Sequence, residues 1–144
     1  MLCQKILTKP QIALRSICDR YLLDTHTLLW ALFKEDFLSM NAKKVILDDN
    51  DIFVSIVSLW EIAIKQSIGK LEMNESIETI VRTCKDEDFC ILPIKPSHLD
   101  HLKNLPQIHG DPFDRLIIAQ AAIENLVIVT KDAKIPTYNI RTIW

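Results

Sequence analysis

The chain has 144 residues, 49% of them apolar and 25% charged, the profile of one globular domain. A net charge of −2 excludes a protein that holds nucleic acid by bulk charge, but not a local basic rim around an acidic site. No apolar run approaches the ~20 residues that cross a bilayer, and the two glycines exclude a Gly-rich phosphate loop.

Residues 1–19 differ from the rest. Lys5, Lys9, Arg15 and Arg20 are balanced only by Asp19, and Pro10 interrupts any helix. A basic start of this kind has something of a transit peptide, without its Ser-rich character. We expect a flexible N-terminal extension, with the domain proper over 20–144.

From Arg20 onward short apolar strands alternate with helices. Tyr21-Leu22-Leu23-Asp24 reads as a strand leading into a helix with Leu28, Leu29, Leu32 and Phe33 on one face. A helix over about 39–48 precedes a strand at Ile52-Phe53-Val54. The next helix runs from about Ser58 to Ile68 and stops at Gly69, a natural left-handed residue. An amphipathic helix carrying Ile77, Ile80 and Val81 follows, then a strand at 89–92 and a helix from Pro96 to Lys103. Asp111 and Pro112 open a strong helix as N-cap and first helical residue. It buries Phe113, Leu116, Ile117 and Ala121. Leu126 to Val129 is a buried strand, and Ile140 to Ile143 a last edge strand. Continuous apolar strands between helices predict an α/β fold, a three-layer α/β/α sandwich around a parallel sheet. Ligands of such sheets bind beyond the carboxyl ends of the strands.

Cys3, Cys18, Cys84 and Cys90 show no metal-ligand spacing, and we expect reduced thiols in a cytoplasmic protein. His98 and His101 lie three apart on one helix without a matching carboxylate or thiol, which favours a solvated face over a metal pair.

Singly, each acid near a strand end has a structural reading. Asp24 sits at a helix start, although Thr25 or Thr27 would serve as the cap. Glu61 matches the capping box S-x-x-E with Ser58, and Lys65 one turn on offers it an ion pair. Asp114 holds the equivalent position after Asp111, and Asp132 fits a solvated turn. Together they mean more. Asp24 and Asp132 end strands, and Glu61 and Asp114 start helices that leave the same sheet edge. Carboxylates gathered without a cation repel and raise one another's pKa. Hard Mg²⁺ takes oxygen ligands and removes that cost, and such sites hydrolyse phosphodiesters.

Three segments carry a family resemblance: Tyr21-Leu22-Leu23-Asp24-Thr25-His26-Thr27-Leu28-Leu29-Trp30; Ser55 to Lys65 with Gly69-Lys70-Leu71; and His109-Gly110-Asp111-Pro112-Phe113-Asp114-Arg115 on to Ala121. With Thr130-x-Asp132 and Trp144, the chain from about Arg20 to its end resembles PIN-domain proteins, the VapC-type toxins of toxin–antitoxin modules among them. The resemblance implies a PIN-like sandwich and an endoribonuclease that uses Mg²⁺, with Mn²⁺ as a substitute. It implies that translation is inhibited through RNA cleavage and that a cognate antitoxin neutralises the enzyme. It also implies a homodimer. Asp24, Glu61, Asp114 and Asp132 then hold the metal and carry catalysis, Thr130 supports the site, and Asp111 belongs to the helix start.

His26 is a supporting donor beside Asp24 or a plain helix-start residue. Arg115 and Lys65 are phosphate contacts or salt-bridge partners of the acids. Trp30 and Trp60 could stack on a base, though their spacing favours the core. The resemblance also implies an antitoxin helix docked on the first helix pair, near Leu28, Leu29, Phe33, Phe37 and Leu38. Two other phosphoryl-transfer classes fit poorly. A haloacid-dehalogenase-like phosphatase wants an Asp where His26 stands, and a response-regulator receiver wants adjacent acids at the first strand end. A degenerate fold serving as a binding module would lack an acid, and none is missing.

Overall fold

The computed structural model describes residues 20–144; the extension expected over 1–19 lies outside the described residues. The order is β1 (Arg20–Leu23), α1 (Thr25–Phe33), a 3-10 turn (Glu35–Phe37), α2 (Met40–Leu47), β2 (Asp51–Ser55) and α3 (Ile56–Ser67). Then come α4 (Ile77–Asp86), β3 (Cys90–Leu92), α5 (Pro96–Lys103), α6 (Pro112–Glu124), β4 (Val127–Val129), a second 3-10 turn (Ile135–Tyr138) and β5 (Thr142–Ile143). The sheet runs β3-β2-β1-β4-β5 and every pairing is parallel.

Successive strand residues face opposite sides, and both sides are covered. Leu22, Phe53 and Ile128 pack with Leu116, Ile117 and Ala121 of α6. Leu23, Val54 and Val129, their immediate successors, pack with Leu28, Ala42, Leu59, Ile62 and Ile80 of α1 to α4. This is the predicted three-layer sandwich. Burial on both faces explains why its strands are unbroken apolar runs.

Local chemistry sets the helix ends. Asp24, Ser39, Ser55, Ser76 and Asp111 each cap a helix through the side chain. Gly69 takes φ 71°, as expected of the residue that stops α3. One boundary differs in a way that matters for the site. Helix α3 begins at Ile56, capped by Ser55, whose hydroxyl accepts from the Val57 N–H at 3.0 Å. Ser58 therefore lies inside the helix, and the expected capping box with Glu61 is not made.

One further expectation is corrected, that for His98. Cys3 and Cys18 lie outside the described residues, and Cys90 is buried. Cys84 is a buried free thiol, its pKa pushed up to about 11 by burial. His98 is not on a solvated face. It is fully buried, its Nδ1 accepts from the Lys95 N–H at 3.0 Å, and its Nε2 lies 2.9 Å from Glu124. It caps α5 and ties that helix to α6.

Candidate active site

The strand order reverses at β1, whose neighbours are β2 on one side and β4 on the other. A crevice opens at such a switch point beyond the carboxyl ends. Leu23 is in register with Val129, so Asp24 and Thr130, the next residues, emerge side by side there.

Asp24 is only 5% exposed. Its Oδ1 accepts from the Thr27 N–H at 2.8 Å, and its Oδ2 accepts from the Thr130 hydroxyl at 2.5 Å. Asp24 is thus the cap of α1, one of the two readings the sequence left open, the other being a cap by Thr25 or Thr27. Those are engaged elsewhere: Thr27 Oγ1 donates to the Val129 carbonyl at 2.9 Å, and Thr25 Oγ1 to Glu61 Oε1 at 2.7 Å. Burial raises the Asp24 pKa above the usual carboxylate value, more than the bonds from Thr130 and Thr27 lower it.

Glu61 is buried on the second turn of α3. Besides Thr25 it meets Lys65, whose Nζ lies 2.6 Å from Oε2. Of the two readings for Lys65, the geometry gives the salt bridge. Burial pulls the Lys65 pKa down, but the Glu61 bond and the charges of Glu61, Asp111 and Asp114 outweigh it and the net shift is upward.

Asp114 stands in the first turn of α6, where Asp111 caps by accepting from the Phe113 and Asp114 N–H groups at 2.8 and 3.4 Å. Its carboxyl is pushed up to about 7. Desolvation is the main cause, followed by the charges of Asp111 and Glu61, and Asp24 adds to the rise.

Asp132 accepts from His109 Nε2 at 2.8 Å through Oδ2 and from the Lys134 N–H at 2.7 Å through Oδ1. Desolvation raises its pKa, but these bonds outweigh it and the net shift is downward. Its own N–H donates to Thr130 Oγ1 at 3.0 Å. Thr130 therefore joins Asp24 to Asp132, and His109, 3.1 Å from Asp114 Oδ2, joins Asp132 to Asp114. Among the described residues, His109, Asp114 and Asp132 each bring one ligand-type atom within 4.8 Å of the others.

His109 was singled out in the sequence only as part of a motif. The signal for it was weak, since its partner Asp132 lies 23 residues away. Arg115 does not do what either reading gave it. It is buried and donates to the Pro106 carbonyl at 2.6 Å, the Leu105 carbonyl at 3.3 Å and the Tyr138 hydroxyl at 3.1 Å. Its guanidinium holds the loop before α6 rather than an acid. His26 is exposed, with its ring 5.7 Å from that of Trp30, and its charge acts on Asp24. Trp30 packs as expected, against Phe37 and Trp144. Trp60 does not: it is 54% exposed and meets Phe113 edge-on at 5.0 Å.

A family model for the PIN domain matches residues 21–140. The chain is 30% identical over 125 residues to Ribonuclease VapC22 of Mycobacterium tuberculosis (strain ATCC 25618 / H37Rv), covering 81% of this chain and 90% of that one. Among solved structures, VapBC2 from Rickettsia felis bound to a DNA fragment from its promoter matches with a TM-score of 0.64 at 18% identity, over 85% of this chain and 96% of that one. FitAcB from Neisseria gonorrhoeae matches with a TM-score of 0.58 at 16% identity, over 86% and 96%. At those identities the structures speak for the fold. The chain belongs to the PIN-domain family, and its curated relative places it with the VapC-type ribonucleases of that family.

Proposed function

We propose that this chain is a Mg²⁺-dependent endoribonuclease, the toxin of a type II toxin–antitoxin module, in which Asp24, Glu61, Asp114 and Asp132 hold the cation. The observation that carries the reading is the chain of side-chain links at the ends of β1 and β4, in which Thr130 joins Asp24 to Asp132 and His109 joins Asp132 to Asp114. Such a cluster is costly alone and suited to a divalent ion.

The donor set fits. All four groups offer carboxylate oxygens, the hard ligands that Mg²⁺ or Mn²⁺ prefers. A bound cation there supplies charge neutralisation at the scissile phosphate and activation of water. The protein's own part is orientation. Thr27 and Thr130 fix both oxygens of Asp24, Thr25 and Lys65 fix those of Glu61, and Lys134 and His109 fix those of Asp132. Held this way, the acids lose little rotamer freedom on binding, which keeps the ligand geometry preorganised.

The substrate is RNA, and its cleavage in the cytoplasm stops translation. Among the described residues no helix is long and apolar enough to cross a membrane. A cavity of about 450 Å³ opens beside α1, walled by Leu29, Trp30 and Phe33 and by Leu71 and Met73 of the loop after α3. It differs from the expected groove. Leu28 and Leu38 are buried, and the far wall is that loop rather than α2. His26, two residues along the chain from Asp24, lines it too, and an antitoxin segment seated there lies against the start of α1. The homodimer belongs to the same reading.

The test is RNA cleavage against Mg²⁺ concentration for the wild type and Asp24→Asn. Cleavage that depends on the ion and collapses in the variant is expected. Normal Mg²⁺-dependent cleavage by Asp24→Asn would overturn the reading.

A further inference from the structure

His109, Asp114 and Asp132 present ligand-type atoms at metal-triad spacing. Distance alone would make the imidazole a third ligand. The hydrogen bonds around the ring argue otherwise.

The Asp111 backbone N–H donates to His109 Nδ1 at 3.1 Å. A backbone amide nitrogen has only a hydrogen to offer, so Nδ1 presents its lone pair and the ring proton sits on Nε2. That Nε2–H faces two acceptors, Asp132 Oδ2 at 2.8 Å and Asp114 Oδ2 at 3.1 Å. In this tautomer Nε2 has no lone pair for a cation. Rotating the ring does not help, because any other arrangement gives up the Asp111 amide or turns a lone pair on a carboxylate.

The ring is also held in place from behind. The N–H groups of Ile108 and His109 both donate to the Tyr138 hydroxyl oxygen, at 3.1 and 2.6 Å. Arg115 donates to the same oxygen and to the carbonyls of Leu105 and Pro106. The loop that carries His109 is thus fastened to α6 and to the second 3-10 turn, and His109 itself is only 8% exposed.

Resting on the metal-binding reading above, we propose that His109 is a positioning residue. Its Nε2–H bridges Asp114 and Asp132 and sets the spacing of these two carboxylates from outside the coordination sphere. A neutral donor suits the task. It offsets the repulsion between two carboxylates without the full positive charge by which a Lys or Arg would compete with the cation. The bond takes only Oδ2 of Asp114, which keeps Oδ1 for a ligand. Outer donors of this kind typically change metal affinity by about 10–100-fold when removed.

The experiment uses the full chain and Mn²⁺ as the probe. Electron spin-echo spectra of the Mn²⁺-loaded wild type are recorded with natural and with ¹⁵N-labelled histidine; this needs no variant to fold. No directly coordinated histidine nitrogen is expected. Calorimetry with Mn²⁺ then compares wild type, Asp24→Asn, His109→Ala and His109→Gln, alongside their melting temperatures without metal. His109→Ala should bind Mn²⁺ about 10–100-fold more weakly, and His109→Gln, whose amide N–H can still reach a carboxylate, should recover much of that loss. A strong histidine-nitrogen coupling would overturn the proposal by making His109 a ligand. Wild-type Mn²⁺ affinity in His109→Ala would overturn it by showing that the bridge sets nothing. If instead the wild type binds no Mn²⁺, or Asp24→Asn binds it equally well, the metal reading itself falls and takes this inference with it.

Discussion

The Thr130 hydroxyl donates to the Asp24 carboxylate across 106 residues of sequence while accepting the N–H of Asp132. One small side chain at the end of β4 thereby fixes the acid at the end of β1 and the acid on its own turn. Thr130→Val removes the donor and the acceptor but keeps the shape. Asp24 would lose a buried partner and the Asp132 N–H its acceptor, so we expect about 1–3 kcal/mol of lost stability and a large loss of RNA cleavage. Thr130→Ser, which keeps the hydroxyl, should retain most of both. Denaturant melts with parallel cleavage assays check this, and a Val variant as active as Ser would remove Thr130 from the site.

The groove beside α1 gives a separate prediction. Phe33 lines it, whereas Phe37 packs on Trp30. Phe33→Asp should weaken neutralisation by the cognate antitoxin and leave nuclease activity intact; Phe37→Asp should do so less. Titrating antitoxin into the cleavage reaction measures both, and unchanged inhibition of a folded Phe33→Asp protein would move the antitoxin elsewhere.

How far the sequence reached is clearest at Glu61 and His109. The sheet was legible because its strands are apolar on both faces, and Asp24, Asp114 and Asp132 stood out as candidates because Asp24 and Asp132 follow strands and Asp114 opens a helix. Glu61 was legible only in company, since its position in α3 depends on Ser55 capping three residues before the expected cap at Ser58. The sequence text S-x-x-E fits a cap at Ser58 equally well. The roles of His109 and Arg115 were not legible. Each is decided by partners on other elements, the carboxylate of Asp132 for one and the Tyr138 hydroxyl with the loop carbonyls for the other. Local pattern carries no record of such long-range bonds.

Arg115 and Tyr138 make that point testable. Tyr138→Phe removes the oxygen that accepts from the N–H groups of Ile108 and His109. The loop before α6 should loosen, with faster amide exchange at those two positions and a loss of about 1–3 kcal/mol. Arg115→Lys should behave similarly, because one ammonium cannot reproduce the fork that meets two carbonyls and a hydroxyl. Unchanged exchange at Ile108 and His109 in Tyr138→Phe would show that the loop is held by other means.

The last prediction concerns pH and follows from Asp114. Its pKa in the fold is about 7, against 3.8 for the free side chain. Between those values the folded protein binds the proton more tightly than the unfolded chain does, so stability falls as pH rises and levels off above about 7. Asp24, also raised, acts in the same direction. Asp132 and Glu124, both lowered, act oppositely; their stabilisation is present above the unfolded pKa and is lost only as pH falls through their lower folded values. In EDTA the melting temperature should therefore decline from pH 5 to pH 7 on account of Asp114 and Asp24. Saturating Mg²⁺, which binds the ionised carboxylates, should offset most of that decline. Asp111→Asn refines the test. Asn caps a helix as well as Asp, so α6 keeps its start while Asp114 loses the neighbouring charge that is the second cause of its raised pKa. The decline in EDTA should become shallower and end at lower pH. The proton released on adding Mg²⁺ at pH 7, measured by calorimetry in buffers of different ionisation enthalpy, should shrink. A melting temperature that rises from pH 5 to pH 7 without metal in the wild type, or a decline untouched by Asp111→Asn, would mean that Asp114 does not carry its proton up to neutral pH.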